Sequence, residues 1–522
     1  MCGIFAYRGK TFQERELIAF ANKIDHRGPD STQYKRINKD IFLGFHRLSI
    51  NGLNEESNQP LIYDHTYLIC NGEIFNYKTL IEEYNLEKEY KTNSDCEIIL
   101  HLYKKVGIEK TCILLDGEFA FVLYDGKKDL LYIARDHLGI RSLYWNIEKD
   151  EICVCSELKG MIDIKHVQQF PPGSYWASDV NKVVAYYTIP TEIICDETEE
   201  EIISNIRRLF IQAVNKRMMS ERTIACLLSG GLDSTTIVGI IASQYKPYEL
   251  NTYSIGLKGS VDLHYAEIAA SYLQTNHTSI ELTNQQFLEA IEDTIYQIES
   301  YDTTTVRASV GNYLVSKYIK NMSEDTVLFC GDVSDELFGS YRGFYYAPTD
   351  VDFYIENVKM LQHIHFFDVL RSDKSIAGAG LEARVPFSDK TFVDYCMKID
   401  PYYKKFSKDR MEKYLFRKAF EHLLPPELIW RVKTAFSDGV SHSENPWYQI
   451  LKENMDLQYS DLQFEEKRKK YIHNSPYDKE SLYYREIFEL YYPNCEHTIP
   501  YYWKQPFLKE KDPSAWFVEK KN

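Results

Sequence analysis

The feature of this sequence that most restricts its fold is a glycine-rich turn between an apolar run and a helical segment. The apolar run is TIACLL (223–228), and SGGLDS (229–234) follows it directly. Beyond the turn, apolar periodicity predicts strands at 252–255 and 277–281 and a helix near 265–274. Strands that alternate with helices in this way are typical of a doubly wound α/β sheet, whose strands run parallel and are buried.

The turn itself has the features of an anion-binding loop. Its two glycines let the backbone approach phosphate oxygens, its serines can donate hydrogen bonds, and the following helix adds positive potential at its N-terminus. It lacks the GK[ST] ending of a Walker loop. Asp233 would repel phosphate, so the sequence predicts a magnesium ion between them. For SGG taken alone, a plain turn is the alternative.

A second acidic segment follows another apolar run, TVLFC (326–330). It has the sequence GDVSDE (331–336), and Asp335 is predicted to share the magnesium ion with Asp233. Such a loop by itself is as often a helix cap as a functional site. Its pairing with SGGLDS favours a functional role, because the carboxyl ends of parallel strands line one crevice.

Length and charge limit the remaining possibilities. The chain has 522 residues, which predicts two or three domains. Its formal net charge is -16 and no basic patch stands out, so nucleic-acid binding is not expected. The mixed-sign run KDRMEK (408–413) is interpreted as a solvated helix face. No run is apolar enough for a signal peptide or a membrane span, so a cytoplasmic location without membrane binding is expected.

The first part of the chain is organised differently from the second. Helical periodicity appears at 14–24 and 94–106. A change of composition at PTEIICDETEEE (190–201), which contains a helix start, predicts a boundary between a domain at 1–190 and one at 200–522. Short segments rich in β-branched and aromatic residues predict strands at 3–9, 41–50, 67–75, 119–125 and 130–135.

Cys2 is a candidate nucleophile. If Met1 is removed, the α-amino group of Cys2 can accept the thiol proton, since such groups have a pKa of about 8. The alternative for Cys2 alone is a small buried residue. Eleven cysteines are present and none forms a CxxC pair, so reduced and mostly buried thiols are expected for the others.

The N-terminal motifs resemble the class II glutamine amidotransferase domain. They occur in the order MCGIF, HRGPD, HRLSI, NGEIFN and SDCE. Further along, other motifs resemble the synthetase domain of asparagine synthetases, namely SGGLDS, SYDTTTVRAS, VSDELFGSY, LEARVPFSDK and RVKTAFSDGV. The resemblance implies a four-layer αββα N-terminal-nucleophile domain, followed by a doubly wound, parallel-sheet ATP-pyrophosphatase domain with added helices. It covers the chain from residue 1 to about residue 445.

For the first domain, the resemblance implies a glutaminase site. Cys2 would attack the amide carbon of glutamine, and Asn71 with the backbone N–H of Gly72 would form the oxyanion hole. Arg47 would bind the α-carboxylate, and two acidic residues would receive the α-ammonium group. One cation and two anions suit a free amino acid, whereas a surface ion pair is the alternative for each charge alone. The implied glutamine-binding set is Arg47, Leu48, Ser49, Ile50, Asn51, Asn71, Gly72, Glu73 and Asp95.

For the second domain, the resemblance implies an ATP site. Lys433 would neutralise the leaving pyrophosphate, Asp332 would take part in catalysis, and Asp233 with Asp335 would hold Mg²⁺. The implied ATP-binding set is Leu228, Ser229, Gly230, Gly231, Asp233, Ser234, Ile255, Cys330, Gly331 and Lys433. Candidates for placing aspartate or phosphate, with structural ion pairs as the alternative, are Arg307, Lys374, Glu382 and Arg384.

The sequence departs from the family pattern at the second acidic segment. The family usually has serine and then Gly-Glu-Gly-Ser-Asp-Glu, whereas this chain has Cys330, Asp332 and Val333 at three of these positions. Asp332 is one methylene shorter than glutamate, and a misplacement of about 1 Å can cost on the order of 10²-fold in rate. Val333 would be strained if its φ is positive. Retained but slowed activity is therefore expected.

The resemblance implies an enzyme that makes asparagine from aspartate, ATP and glutamine. Aspartate would be activated as β-aspartyl-AMP, and ammonia freed at Cys2 would cross an enclosed apolar passage and displace AMP. A homodimer is also implied. Two alternatives stay open: a related enzyme that amidates another carboxylate or closes a lactam, and a sensor with an impaired synthetase site.

Overall fold

The first part of the chain contains two antiparallel sheets. The computed structural model describes residues 1–193, 196–433, 436–442 and 444–509. The strands of this part are β1 (Gly3–Arg8), β2 (Ser31–Arg36), β3 (Ile41–Arg47), β4 (Leu61–Tyr63), β5 (Thr66–Ile74), β6 (Gly117–Asp125), β7 (Leu130–Arg135), β8 (Tyr144–Glu148), β9 (Glu151–Cys155), β10 (Gln168–Gln169), β11 (Ser174–Ala177) and β12 (Lys182–Ala185). They form two six-stranded sheets, β10-β8-β9-β1-β3-β2 and β12-β11-β7-β6-β5-β4. The accompanying helices are α1 (Glu14–Asn22), α2 (Tyr77–Glu83) and α3 (Glu97–Leu114).

The two sheets pack face to face with helices on their outer faces. Ile4 of β1 meets Ile69 of β5 in the core between the sheets. On the outer face of the first sheet, Phe5 packs against Phe20 of α1 with ring centroids 6.4 Å apart. On the outer face of the second sheet, α3 packs against Phe121. The predicted four-layer αββα arrangement is confirmed, and each inner strand is buried on both faces because successive side chains alternate between two cores.

The second part of the chain is built on one parallel sheet. Its strands are β13 (Ile224–Leu227), β14 (Asn251–Leu257), β15 (Asn276–Leu282), β16 (Val327–Phe329) and β17 (Glu382–Arg384). The helices of this part are α4 (Glu199–Arg217), α5 (Leu232–Ala242), α6 (Val261–Leu273), α7 (Asn284–Ile298), α8 (Thr303–Met322), α9 (Ser334–Phe338), α10 (Asp350–His363), α11 (Asp368–Ala377), α12 (Lys390–Lys398), α13 (Pro401–Lys404), α14 (Tyr414–Phe420), α15 (Pro426–Ile429), α16 (Phe436–Gly439), α17 (Trp447–Gln458), α18 (Asp461–Lys467) and α19 (Lys479–Tyr491). Among the described residues, no helix combines the length and the apolar character needed to cross a membrane.

The order of the parallel strands explains where a ligand can bind. The five-stranded sheet has the order β15-β14-β13-β16-β17, and every neighbouring pair is parallel. The order reverses between β13 and β16, which confirms the predicted doubly wound sheet. A crevice forms at such a reversal, outside the carboxyl ends of the strands. The segments SGGLDS and GDVSDE follow β13 and β16, so both lie at this crevice.

Buried ion pairs join the two parts of the chain. Arg27 pairs with Asp373 at 3.0 Å, and Arg217 of α4 pairs with Glu118 of β6 at 2.8 Å. Their four side chains are almost fully buried. Removing one partner of such a pair leaves an uncompensated buried charge and destabilises the protein by about 3–5 kcal/mol. These pairs therefore fix how the two parts meet.

Candidate active sites

Cys2 lies just before β1 and packs against the core between the two sheets. Its Sγ lies 3.6 Å from the carbonyl oxygen of Leu48, and burial raises the pKa of the thiol to about 11. Met1 is buried beside it, and its α-amino group donates to the carbonyl oxygen of Leu381 at 3.1 Å. Burial lowers the pKa of that amino group to about 6. The thiol therefore needs a base close by, and removal of Met1 stays a prediction.

The residues predicted to form the oxyanion hole lie on β5, which shares the inter-sheet core with β1. Asn71 is fully buried, and neither its side-chain oxygen nor its nitrogen bonds to another described residue. Leaving a buried amide unsatisfied costs free energy, so a polar ligand is expected to pair with it. Gly72 has a φ of 154°, and a Cβ there would lie 2.2 Å from the carbonyl oxygen of Glu118. This point of the strand thus accepts only glycine.

Arg47 and the loop after it form one wall of the predicted glutamine site. Arg47 Nη1 donates to Oδ1 of Asn58 at 2.6 Å, and Nη2 donates to the carbonyl oxygen of Gly52. The guanidinium thus holds the loop and would share its donors with a bound carboxylate. Among the other predicted residues of this loop, Leu48, Ser49 and Ile50 are buried and Asn51 is half-buried.

Two buried carboxyl groups belong to the same site. Glu73 Oε2 accepts a hydrogen bond from Nδ2 of Asn51, and Asp95 Oδ2 accepts one from the backbone N–H of Ile74 at 2.6 Å. Burial and the charge of Asp95 raise the pKa of Glu73 well above its usual range, and burial raises the pKa of Asp95 to about 6. The charge of Glu73 also acts on the Cys2 thiol. The pocket is therefore suited to an ammonium group, whose positive charge would favour the ionised form of both carboxyl groups.

SGGLDS forms the turn between β13 and α5, as predicted. Gly230 has a φ of 67°, and a Cβ there would lie 2.3 Å from the carbonyl carbon of Tyr265, so only glycine fits. Ser229 Oγ accepts a hydrogen bond from the backbone N–H of Gly231 at 3.3 Å and lies 3.1 Å from Oγ of Ser234. The first N–H groups of α5 have no partner within the helix, which makes this turn an anion-binding site.

A cavity of about 220 Å³ opens beside this turn. Its walls include Ile255 and the apolar faces of Ala308 and Phe436, which suit a purine ring. All the predicted ATP-binding residues except Gly230 line it, namely Leu228, Ser229, Gly231, Asp233, Ser234, Ile255, Cys330, Gly331 and Lys433. The fold thus brings the predicted ATP set together around one cavity.

Asp233 and Asp335 converge on a single cation. Lys413 Nζ lies 2.6 Å from Oδ2 of Asp233 and 2.6 Å from Oδ1 of Asp335, while Lys433 Nζ lies 2.5 Å from the latter atom. Burial opposes ionisation of Asp335, but the two lysines hold its pKa far below the usual range. Two carboxylate oxygens that reach one nitrogen can also reach one magnesium ion, which takes its other ligands from phosphate and water. These residues therefore fit Mg²⁺ in place of the Lys413 ammonium group.

The position of Lys413 corrects one interpretation of the sequence. KDRMEK (408–413) was expected to be a solvated helix face, but 408–412 form turns, and Lys413 is only 4% exposed, with a φ of 57°, just before α14. The local charge pattern misleads here because the partners of Lys413 are carboxylates far away in the sequence.

The residues that depart from the family pattern line the same cavity. The carboxylate of Asp332 accepts hydrogen bonds from the guanidinium of Arg371 and the hydroxyl of Ser372. Val333 has a φ of 76° and a ψ of -23° and is buried. Such a conformation costs a non-glycine residue about 1–3 kcal/mol. The strain expected at Val333 is confirmed.

The cavity contains an acidic group that the sequence analysis missed. Tyr341 Oη lies within hydrogen-bond distance of the carboxyl group of Glu336 and 3.0 Å from Oδ2 of Asp368, and its one proton can be donated to either. Burial and the charge of Asp368 raise the pKa of Glu336 well above its usual range. Burial opposes ionisation of Asp368 too, but Arg371 lowers the pKa of that carboxyl group. Glu336 adjoins the predicted Asp335, whereas Asp368 lies outside every motif and becomes visible only in the fold.

The four residues predicted to place aspartate or phosphate lie outside the lining of this cavity. Arg307 forms two hydrogen bonds of 2.7 Å to the carboxylate of Glu480, and Lys374 donates to Oη of Tyr144 at 2.7 Å. The other two form an ion pair of 2.6 Å with each other, Glu382 and Arg384. All four thus have structural partners, which was the alternative interpretation, and their role in substrate placement stays a prediction.

Comparison with known proteins finds relatives of both parts of the chain. A family model described as a glutamine amidotransferase domain matches residues 1–219, and one described as asparagine synthase matches residues 205–359 and 352–511. Asparagine synthetase [glutamine-hydrolyzing] from Gallus gallus is 39% identical over 553 residues, which cover 99% of this chain and 98% of that protein. The chain belongs to the asparagine synthase family. The family member of the same name from Rattus norvegicus is 38% identical over 552 residues, with 99% and 98% coverage.

One solved structure that matches the chain is much less similar than these family members. The glutamine phosphoribosylpyrophosphate amidotransferase from B. subtilis is 19% identical, with a TM-score of 0.30, and covers 48% of this chain and 65% of its own. A similarity at this level supports no structural argument. The fold of this family member is therefore assigned from its own sheets and their strand order.

Proposed function

We propose that this chain synthesises asparagine from aspartate, with ATP as the energy source and glutamine as the nitrogen donor. The observation that carries the proposal is that one chain holds two side-chain sets. The first is a cysteine just before β1 with an unsatisfied amide on β5, which shares a core with β1, and the second is an anion-binding cavity with paired carboxylates and lysines. It is supported by relatives named asparagine synthetase that match 99% of the chain. In this proposal, ammonia is released at one centre and used at the other.

At the first centre, Cys2 attacks the amide carbon of glutamine. Its thiol proton passes to the α-amino group that removal of Met1 exposes, and from there to the departing ammonia. The amide of Asn71 and the backbone N–H of Gly72 donate to the tetrahedral oxygen. The charged residues of the pocket hold the two ends of the amino acid. Water then hydrolyses the thioester, which gives glutamate and restores the thiol.

At the second centre, the β-carboxylate of aspartate attacks the α-phosphorus of ATP, giving β-aspartyl-AMP and pyrophosphate. The loop SGGLDS and Lys433 bind the leaving pyrophosphate, since both supply donors or positive charge at the crevice. Asp368 and Glu336 receive the α-ammonium group of aspartate, and Arg371 binds its α-carboxylate. Ammonia then attacks the β-carbonyl carbon and displaces AMP, which yields asparagine.

Asp233 and Asp335 would hold Mg²⁺, which when bound neutralises charge on the polyphosphate. Lys413, released from these carboxylates, would then be free to contact phosphate oxygens. This assignment is supported by the two equal distances of 2.6 Å from its nitrogen to the carboxylates.

Four further points belong to the proposal. The two domains divide between residues 190 and 200, ammonia crosses an enclosed passage between them, and the protein is a cytoplasmic homodimer. Light scattering during size-exclusion chromatography tests the dimer, and cell fractionation tests the location. Retention of ¹⁵N from labelled glutamine in the presence of excess unlabelled ammonium tests the passage.

One assay tests the main proposal against its alternatives. Purified protein is given ATP, Mg²⁺, glutamine and a panel of carboxylic acids, and pyrophosphate and amide products are measured together. We expect pyrophosphate and asparagine in equal amounts with aspartate. Pyrophosphate with a different acid alone would favour another amidating or lactam-forming enzyme. No pyrophosphate with any acid would favour a sensor, the second candidate, which the strained Val333 and the engaged Asp332 suggest.

A further inference from the structure

Arg384 lies where the two parts of the chain meet. It ends β17, the edge strand of the parallel sheet, and it is fully buried. Its Nη2 lies 3.6 Å from Oε2 of Glu73, which is on β5 of the other part. A residue that belongs to the synthetase part by sequence therefore places its charge in the glutamine pocket.

The other contacts of Arg384 fix its guanidinium in this position. Its Nε pairs with Glu382 at 2.6 Å, and its Nη1 donates to the carbonyl oxygens of Arg217 at 2.7 Å and Met219 at 3.0 Å. By contrast, Nη2 donates no hydrogen bond to any described residue. The nitrogen that faces Glu73 is thus the one left for interactions in the pocket.

Glu73 needs a neighbouring cation to be charged. Burial and the negative charges of Asp95 and Glu382 raise the pKa of Glu73, and the charge of Arg384 opposes these effects. Arg47, the other cation of the pocket, is already bonded to the loop carbonyl of Gly52. A carboxylate must be ionised to pair with an ammonium group, and a buried ionised carboxylate must itself be paired. Of Arg47 and Arg384, it is Arg384 that can pair with the ionised carboxylate of Glu73.

The synthetase part also holds the loop that follows Arg47. The backbone N–H of Gly52 donates to Oε1 of Glu221 at 2.8 Å, and Nε of Arg222 donates to the carbonyl oxygen of Ser49 at 2.9 Å. Glu221 and Arg222 lie between α4 and β13. A wall and a carboxylate of the glutamine pocket are thus both supported from the other part of the chain.

We propose that Arg384 is a positioning residue of the glutamine site, which holds Glu73 in place and favours its ionised form for the α-ammonium group of glutamine. This inference rests on the proposed glutaminase function of the first centre. For Arg384 it replaces the placement of aspartate or phosphate that the resemblance implies, since Arg384 lies outside the lining of the ATP cavity. It separates two activities, because glutamine recognition then depends on Arg384 whereas synthesis from free ammonia does not.

The test compares Arg384→Met and Arg384→Lys with the unaltered enzyme. Glutamate release from glutamine and asparagine synthesis from ammonium chloride are both measured. We expect Arg384→Met to raise the KM for glutamine by at least about tenfold, because the partner of a buried charge is lost. Its kcat and its ammonia-dependent synthesis should change far less. Arg384→Lys, which keeps the charge, should restore part of the affinity.

The matched control is Arg485→Met, since Arg485 is also a buried arginine but pairs with Glu489 on α19. It should leave the KM for glutamine unchanged. An unchanged KM in Arg384→Met, or equal losses in both assays, would overturn the proposal. If Arg384→Met does not fold, Arg384→Lys provides the test. A rise in its KM for glutamine without a loss of ammonia-dependent synthesis supports the proposal, and any other result overturns it. Absence of glutaminase activity in the unaltered enzyme would instead contradict the proposed function.

Discussion

Lys413 Nζ lies 2.6 Å from Oδ1 of Asp335, at the place where the sequence predicts a magnesium ion. The same nitrogen lies 2.6 Å from Oδ2 of Asp233, so lysine and metal compete for both carboxylates. Two unit charges 4 Å apart interact by about 4 kcal/mol at an effective dielectric constant of 20. The lysine therefore holds the two loops together without ligands and opposes binding of the metal alone.

We expect Lys413→Met to bind Mn²⁺ more tightly in the absence of ATP, by on the order of tenfold or more, because the competing charge is gone. A titration followed by electron paramagnetic resonance measures this affinity. Lys418→Met is the control, since Lys418 pairs with Glu421 outside the cavity. Mn²⁺ binding that is unchanged or weaker in Lys413→Met would contradict the assignment of the two carboxylates to the metal.

Replacing the nucleophile should separate the two reactions. Cys2→Ala removes the thiol, so asparagine synthesis from glutamine should fall to background while synthesis from ammonium chloride continues at a similar rate. Product amounts measured with each nitrogen source test this. Cys396→Ala, a buried cysteine of α12, serves as the control and should keep both activities. Loss of both activities in Cys2→Ala would argue against two separable centres.

The strain at Val333 can be measured with a pair of variants. Val333→Ala and Val333→Gly both lose the buried side chain, but only glycine relieves the positive φ of 76°. We therefore expect the glycine variant to have the higher free energy of unfolding, by about 1 kcal/mol. At most positions the alanine variant would be the more stable of the two. Urea unfolding gives the difference. An alanine variant as stable as the glycine variant would show that the strain is absent.

Glutamine recognition should depend on pH. Burial raises the pKa of Asp95 to about 6, and burial together with the charge of Asp95 raises the pKa of Glu73 well above its usual range. A raised carboxyl pKa means that the anion forms only above it, so the KM for glutamine should fall as pH rises through 6 and beyond. Glu73→Gln should raise the KM and make its fall with pH smaller, because one of the two titrating carboxyl groups is gone. A KM that stays constant from about pH 5 to pH 8 would contradict these shifts.

The sequence predicts those features that depend on short segments. SGGLDS is recognisable because glycine is required at Gly230 and because an apolar run and a helix flank the turn. The strands at the centre of each sheet are predicted for the same reason, since β1, β6 and β13 are buried and apolar. Several short or edge strands of the first part are missed. For example, β10 has two residues and β2 is polar and half-exposed at the edge of its sheet.

The sequence does not reveal features that depend on distant partners. Lys413 and Asp368 enter the ATP cavity from segments without a motif, because the fold alone brings them near Asp335 and Glu336. Arg384 lies within a recognised motif, yet its neighbour Glu73 is about three hundred positions away. Residue type and local spacing cannot distinguish a cation that contacts substrate from one that orders another side chain.

The contacts of Glu221, Arg222 and Arg384 with the glutamine pocket limit how this protein can be divided into working parts. A fragment excised at residues 190–200 keeps the nucleophile but loses all three supports. Fusing that fragment to a foreign synthetase would give a poor glutaminase unless the new host supplied equivalent side chains. The amidotransferase half therefore cannot be exchanged as an independent unit. The two halves are expected to have changed together during evolution.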